Sequence, residues 1–208
     1  MEINKLTEGM NDEFDSTTPC VLALGFFDGV HLGHQQLITQ AKQAAIQAHL
    51  PLHVLTLDRH ASTLFNPDRP FPYLTTLSEK ANLMAALGVD RLYVATFNRV
   101  FANLTPLTFV NRYLVGLGAQ QVVVGFDYTY GRRGAGTVNS LQLMSQGRFT
   151  VQIVDAVTSE QQKVSSTRIR GLIMAGQLDE ARVLLGHDGQ VLHDHRLTEM
   201  HEFQSQLI

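Results

Sequence analysis

A chain of 208 residues, 44% hydrophobic and 17% charged, is long enough to bury a real core in one large domain or two small ones. Its 16 Lys and Arg against 19 Asp and Glu leave a formal net charge of -3, which excludes the basic excess of a generic nucleic-acid binder, so any phosphate chemistry must come from a local site. The single cysteine, Cys20, excludes an intramolecular disulfide and, placed just before an apolar run, reads as a small buried hydrophobe.

The N-terminal stretch MEINKLTEGMNDEFDS carries no apolar signal core, and no later stretch is long and apolar enough to span a bilayer. A soluble, cytoplasmic protein with no membrane partner is expected. The apolar run at 21–25 reads as a buried strand. Residues 32–49 follow as a helix with Leu37, Ile38, Ala41 and Ala45 on one face. LHVLTL at 52–57 is a second strand. SEKANLMAAL at 78–87 is a helix with Ser78 as its cap and Gly88 at its end. RLYVATF at 91–97 is a third strand, and Thr105-Pro106 opens another helix with the proline at its first position. Strands at 122–126 and 151–154 and helices at 167–175 and 178–185 complete the series. Strands alternating with helices of this length imply parallel pairing and right-handed crossovers. The expected class is a Rossmann-like, doubly wound α/β sheet, formed by one domain over 1–186 with a polar, His-rich tail at 187–208.

Such sheets bind ligands beyond the carboxyl ends of their strands, where ALGFFDGVHLGHQQL at 23–37 lies. His31 and His34 stand three apart at a helix start, with Gly29 and Gly33 beside them. A helix N-terminus offers unpaired N–H groups and partial positive charge to a phosphate, and two imidazoles add donors. Buried structural roles are less usual there, so the pair is expected to serve chemistry more than the fold. A metal site would need a third protein ligand, and the stretch matches neither a G-x-G-x-x-G fingerprint nor a P-loop; no metal site is assigned. Asp28 either caps the helix or bonds the nucleotide.

At 165–170, SSTRIR enters a second helix, with Ser165 or Ser166 as cap and Arg168 as a permanently charged, forked donor. Plain capping with surface arginines is the competing reading, and Arg170 reads equally as a solvated helix residue. Asp127 ends an apolar strand within GFDYTYG, as a ligand-facing group or a turn cap. Tyr130 lies on a half-buried strand face, and Arg132 and Arg133 either screen a phosphate or sit in an exposed loop.

FDGVHLGH resembles the H-x-G-H signature of the nucleotidyltransferase superfamily. The fuller ALGFFDGVHLGHQQL is closer still to the FAD synthetase (FMN adenylyltransferase) module of bacterial riboflavin kinase/FAD synthetase proteins. VVVGFDYTYGRRGAGT at 122–137 resembles that family's second motif, and VSSTRIRGLIMAGQLDEARVLLG at 164–186 its third, with core S-S-T-x-I-R. The resemblance covers residues 21–186. It implies transfer of AMP from ATP to FMN, giving FAD and pyrophosphate. It implies that His31, His34 and Arg168 carry the catalysis on the ATP phosphates. Gly25, Phe26, Phe27, Asp28, Gly33, Ser165, Ser166 and Thr167 would bind nucleotide, and Asp58, Phe65, Asp127 and Tyr130 would bind flavin. Magnesium would arrive on ATP rather than in a protein cage.

The chain also departs from the family. Members commonly carry Asn at the position of Phe26. They carry T-F-D-P-H-P where this chain reads Thr56-Leu57-Asp58-Arg59-His60-Ala61, and that segment walls the flavin site. Arg59 there either pairs in solvent with Asp58 or Asp68, or contacts the flavin. After Gly186 nothing resembles the family's riboflavin kinase barrel, so that barrel is expected to be absent. The rival readings are a related nucleotidyltransferase with another acceptor, and a catalytically weak flavin- or nucleotide-binding regulator.

Overall fold

A run such as CVLAL has no polar face to show to solvent, so both its faces must be covered. That requirement organises the computed structural model, which describes residues 1–7, 18–66, 68 and 71–187. In chain order the elements are β1 (Glu2–Leu6), β2 (Cys20–Leu24), α1 (Leu32–Ala48), β3 (Leu52–Leu57), α2 (Ala61–Phe65), α3 (Leu77–Ala86) and β4 (Arg91–Ala95). They continue as α4 (Arg99–Ala102), α5 (Pro106–Phe109), a π-helical stretch (Val110–Val115), β5 (Ala119–Gly125), β6 (Thr129–Tyr130), β7 (Gly136–Thr137) and α6 (Val138–Ser145). β8 (Thr150–Val154), β9 (Thr158–Ser159), β10 (Gln162–Lys163), α7 (Ser166–Met174) and α8 (Leu178–Leu185) follow.

Six strands form one parallel sheet in the order β1-β4-β3-β2-β5-β8. From β2 the chain builds outward through β3 and β4, then returns to place β5 and β8 on the other side of β2. Strand order therefore reverses between β2 and β5, the doubly wound pattern in which a crevice opens at the carboxyl ends. The alternation along β2 divides the core. Leu22 and Leu24 join Phe101, Phe109, Tyr113 and Leu141 on one face. Val21 and Ala23 join Leu37, Ile38 and Ala41 of α1 and Met84 of α3 on the other. A third cluster packs α7 and α8 through Ile169, Ile173, Leu184 and Leu185 against Leu74.

The expected strands and helices form, with shifted ends. Cys20 is buried, as expected, as the first residue of β2. The cap of α3 is Thr76 rather than Ser78. Its hydroxyl accepts from Glu79 N at 3.2 Å while Glu79 Oε2 accepts from Thr76 N at 2.6 Å. That reciprocal box is written in the sequence as Thr76-x-x-Glu79, and it satisfies two donors where Ser78 would satisfy one. The helix opened by Pro106 keeps its regular turn only to Phe109 and then widens, closing at Gly116, where a Cβ would stand 2.2 Å from Arg112 O. β1 escapes the sequence reading because EINKL carries a single buried side chain, Leu6; its polar residues suit the open edge it forms beside β4. The tail is described only to His187, so its remainder, 188–208, lies outside the described residues.

Candidate active site

The turn from β2 into α1 is tightly folded. Phe27 and Val30 both have positive φ, 54° and 39°, and both are buried. Residues with side chains hold such backbone only where their surroundings enforce it. Gly25 makes the fold possible, because a Cβ there would stand 2.8 Å from the Phe27 ring. Gly29 has φ 82° and its N–H donates to Thr75 Oγ1 at 3.0 Å.

His31 ends this turn as the N-cap of α1. Its Nδ1 accepts from His34 N at 3.4 Å, so the ring proton sits on Nε2. The two imidazoles stack at 3.6 Å between centroids, and His34 meets the Phe27 ring edge-on. Burial, then the Lys163 ammonium, pushes His31 down to about 4. Burial holds His34 well below its ordinary value, with His31 adding to the effect. Both rings are therefore neutral at neutral pH. His34 Nδ1 is buried without a hydrogen-bond partner. The spacing of three thus has a structural component, because cap and third helical residue bond each other, and His31 serves the fold as well as any chemistry.

The third motif docks on the first. Ser165 is the N-cap of α7, accepting from Arg168 N at 3.2 Å. Ser166 Oγ donates to Asp28 O at 2.9 Å. Val164 O would lie 3.7 Å from a Cβ on Gly33, so the α1 and α7 starts stand side by side. Thr167 is exposed on the first turn of α7.

Asp28 neither caps α1 nor faces outward. Its Oδ1 accepts from Leu74 N at 3.0 Å and Thr75 N at 3.2 Å, and its Oδ2 pairs with Arg170 Nη2. Arg170 also donates from Nε to Pro72 O at 2.9 Å and lies over the Phe71 ring. The reading of Arg170 as a solvated helix residue is therefore corrected: its side chain is 13% exposed. Arg168, the arginine singled out from sequence, turns the other way. Its Nη1 donates to Ser159 O at 2.9 Å and its Nη2 to Glu180 Oε1 at 3.1 Å, tying the β9–β10 hairpin to α8. The sequence held the signal for Arg170, since it is the fixed arginine of S-S-T-x-I-R and Arg168 fills the variable place.

The acceptor-side residues are spread more widely. Asp127 follows β5 and pairs with Lys163 Nζ at the end of β10. That ammonium lies 4.8 Å from the Phe126 ring centroid. Lys163 carries no sequence signal beyond its place before the third motif. Tyr130 is in the core, packed on Phe109, with its hydroxyl 3.1 Å from Ser140 Oγ. Asp58 accepts from Phe97 N at 2.8 Å and pairs with Arg59 at 3.2 Å. Of the two readings of Arg59, this geometry matches the pairing with Asp58. Phe65 is 66% exposed on α2. His60 caps α2, stacks on Phe71 at 4.0 Å and meets Phe26 edge-on. Arg132 and Arg133 lie in a short 3-10 turn and are exposed, with Arg133 at φ 55°.

Among the described residues no group of three or more His, Cys, Asp or Glu gathers to hold a metal ion, and no helix is long and apolar enough to cross a membrane.

Two helix starts at the point where strand order reverses, one carrying H-x-G-H, define a Rossmann-like nucleotidyltransferase fold. Residues 13–168 match the family model for FAD synthetase, and the chain belongs to that family. It is 51% identical over 178 residues to a bifunctional riboflavin kinase/FMN adenylyltransferase of Listeria monocytogenes, covering 83% of this chain and 57% of that protein. A protein of the same description from Bacillus subtilis is 42% identical, with 83% and 56% covered. The chain thus spans little more than half the length of these relatives. In three dimensions it superposes on a crystal structure described as a macrolide-efflux protein from Streptococcus pneumoniae, with TM-score 0.76 and 33% identity, over 88% of this chain and 60% of that one.

Proposed function

We propose that residues 1–186 act as an FMN adenylyltransferase, joining FMN to the adenylyl group of ATP with release of pyrophosphate. The observation that carries this reading is the docking of the third motif on the first. Ser166 and Arg170 both bond Asp28, and the docking sets the N-termini of α1 and α7 side by side at the switch point. Unpaired N–H groups, the His31 Nε2–H and the Ser165 hydroxyl then surround one place fit for a polyphosphate, while the Ser166 hydroxyl, donating to Asp28 O, holds the two motifs together.

In the reaction a phosphate oxygen of FMN attacks the α-phosphorus of ATP in line. The new P–O bond forms as the bond to the bridging oxygen breaks, and the electron pair leaves with pyrophosphate. No protein nucleophile is needed. Positioning and stabilisation of the charge on the leaving group are what the site supplies. His31 and His34, as neutral donors, suit that task. Arg168 would reach a phosphate only after leaving Glu180 and the hairpin carbonyls. Magnesium would enter on ATP, held by phosphate oxygens. The protein would work in the cytoplasm on small-molecule substrates.

The nucleotide half is the better supported. On the acceptor side Asp58, Asp127 and Tyr130 are all engaged within the protein. The test follows from that division. The purified chain is incubated with MgATP and FMN, and FAD and pyrophosphate are resolved by chromatography, with riboflavin and other small phosphates as parallel acceptors. FAD from FMN alone is expected. ATP consumption with another acceptor and not with FMN would make the chain a related nucleotidyltransferase. Binding of either ligand without turnover would make it a regulator.

A further inference from the structure

The scheme above assigns nothing to α3, yet that helix sends an ammonium under the site. Lys80 stands in the first turn of α3 and is 4% exposed. Its Nζ donates to Phe26 O at 2.6 Å, lies 3.4 Å from Thr56 Oγ1 and sits 4.4 Å from the Phe26 ring centroid. Thr56 Oγ1 donates to the same carbonyl at 2.9 Å. Phe26 belongs to the turn that carries Asp28 and His31.

Among the described residues no carboxylate stands in ion-pair contact with Lys80. Asp28, the acid that bears on it, is committed to Arg170, Leu74 N and Thr75 N. A buried cation without a counterion is costly even when hydrogen-bonded, because buried charges are stable only when paired. A neutral side chain could hold the carbonyl equally well if geometry were the whole purpose.

We propose that Lys80 is a positioning residue whose buried charge fixes the turn at 25–28 and is balanced only when the phosphates of ATP occupy the adjacent cradle. The proposal rests on the nucleotide reading above. The charged and titratable groups bearing on Lys80 are Asp28 on the turn and His34 on α1, while His60 and Tyr73 reach it only through the Phe26 ring that its ammonium covers. Burial pushes Lys80 down to about 8, with Asp28 opposing. His34 and His60 are both lowered from 6.5, chiefly by burial, and stay neutral above neutral pH. An arriving anion favours the charged ammonium, so ATP binding should draw in a proton near pH 8.

The test is calorimetric titration of the purified chain with MgATP, without FMN, from about pH 7.5, where a phosphate's last ionisation near 6 is complete, to about 9.5. Wild type should bind about tenfold more weakly by pH 9 than at 7.5, following the single ammonium. At pH 8.5, buffers of different ionisation enthalpy should report net proton uptake. Lys80→Gln keeps a donor to Phe26 O and removes the charge, whereas Lys80→Met removes both. Both should bind ATP about tenfold more weakly at pH 7.5, a shift of about 1.4 kcal/mol, and show no pH slope. If Lys80→Gln matches wild type, or wild type binds ATP with neither slope nor proton uptake, Lys80 is a structural lysine and the proposal falls. The wild-type measurements decide the matter even where a variant fails to fold. Failure of wild type to bind ATP at any pH would instead overturn the nucleotide reading itself.

Discussion

The two halves of the candidate site are built differently. On the nucleotide side Asp28 and Ser166 are tied to backbone from other parts of the chain, and His31 is tied to its own helix start. Asp28 gathers Leu74 N, Thr75 N and Arg170, Ser166 reaches Asp28 O, and His31 holds His34 N. On the acceptor side the groups hang from strand ends and short turns. Asp127 and Lys163 pair at the surface, with side chains 57% and 42% exposed, and Arg59 folds back on its neighbour Asp58. The first side is arranged before any ligand arrives, which is what charge stabilisation requires. On the second side Asp127 and Arg59 sit in exposed pairs free to exchange a protein partner for a ligand, whereas Tyr130 is held in the core.

The sharpest test of this contrast is one carboxylate from each side. Asp28→Ala leaves a nearly buried Arg170 with no carboxylate, holding only Pro72 O, and takes the Asp28 acceptor from Leu74 N and Thr75 N. Breaking such a buried pair from one side costs about 3–5 kcal/mol. The expected result is that loss in urea unfolding, together with loss of adenylyl transfer. Asp127→Ala removes one member of an exposed pair, worth about 1 kcal/mol or less. Equal effects from the two substitutions would erase the distinction between the halves.

The histidines separate chemistry from folding within the nucleotide side. His31→Ala and His34→Ala should each lower FAD formation by about 10²-fold, as expected for removing one charge-stabilising donor. His31→Ala should also cost about 1 kcal/mol of stability through the lost cap, an effect His34→Ala lacks because His34 takes part in the cap through its backbone N–H and not its side chain. Kinetics beside thermal melts of both variants check this. An unchanged rate in both would remove the pair from the mechanism.

Acid offers a graded version of the same test. His31 sits at about 4 in the folded chain against 6.5 ordinarily, and His34 is lowered too. Between those values the unfolded chain binds more protons than the folded one, so stability is fully present above 6.5 and is lost as pH falls toward about 4. Each such histidine contributes at most about 1.4 kcal/mol per pH unit to that slope. His53, lowered to about 4 by burial at the other end of the sheet, contributes likewise and serves as the control. Measured by unfolding from about pH 7 to 4, His31→Ala should flatten the slope by up to one proton.

The sheet was legible in the sequence because its inner strands are covered on both faces and so read as near-continuous apolar runs, such as CVLAL and, broken only by His53 and Thr56, LHVLTL. β1 was not, since an edge strand with one buried residue carries no such run. The helix starts at His31 and Ser165 were legible from capping chemistry, which is local. The bonds of Arg170 to Asp28 and of Lys80 to Phe26 O span 142 and 54 residues, and no local pattern encodes them. Arg168 shows the converse. It stands beside Ser165-Ser166-Thr167, but it is two residues from both Ser166 and Arg170, which bond Asp28, and two residues along a helix turn a side chain by about 200°, which points it at the hairpin rather than the first motif.

The smallest effect expected is at Arg59, where the family carries a proline in the flavin wall. Its Nη2 and Nε both lie on Asp58 Oδ2, at 3.2 and 3.3 Å, and its side chain is 52% exposed. An exposed pair between chain neighbours is worth little, about 0–1 kcal/mol. Asp58 keeps its other oxygen on Phe97 N at 2.8 Å whether or not Arg59 is present, so the ends of β3 and β4 stay joined. Arg59→Ala should therefore leave stability unchanged and FMN affinity within about twofold, whereas a charge-assisted contact to the flavin would be worth about 1.5–3 kcal/mol, tenfold or more in Kd. Flavin fluorescence titration of wild type and Arg59→Ala distinguishes the two. A tenfold loss for FMN with ATP binding unchanged would mean that Arg59 exchanges Asp58 for the ligand, and would place a working acceptor contact where the family's proline is missing.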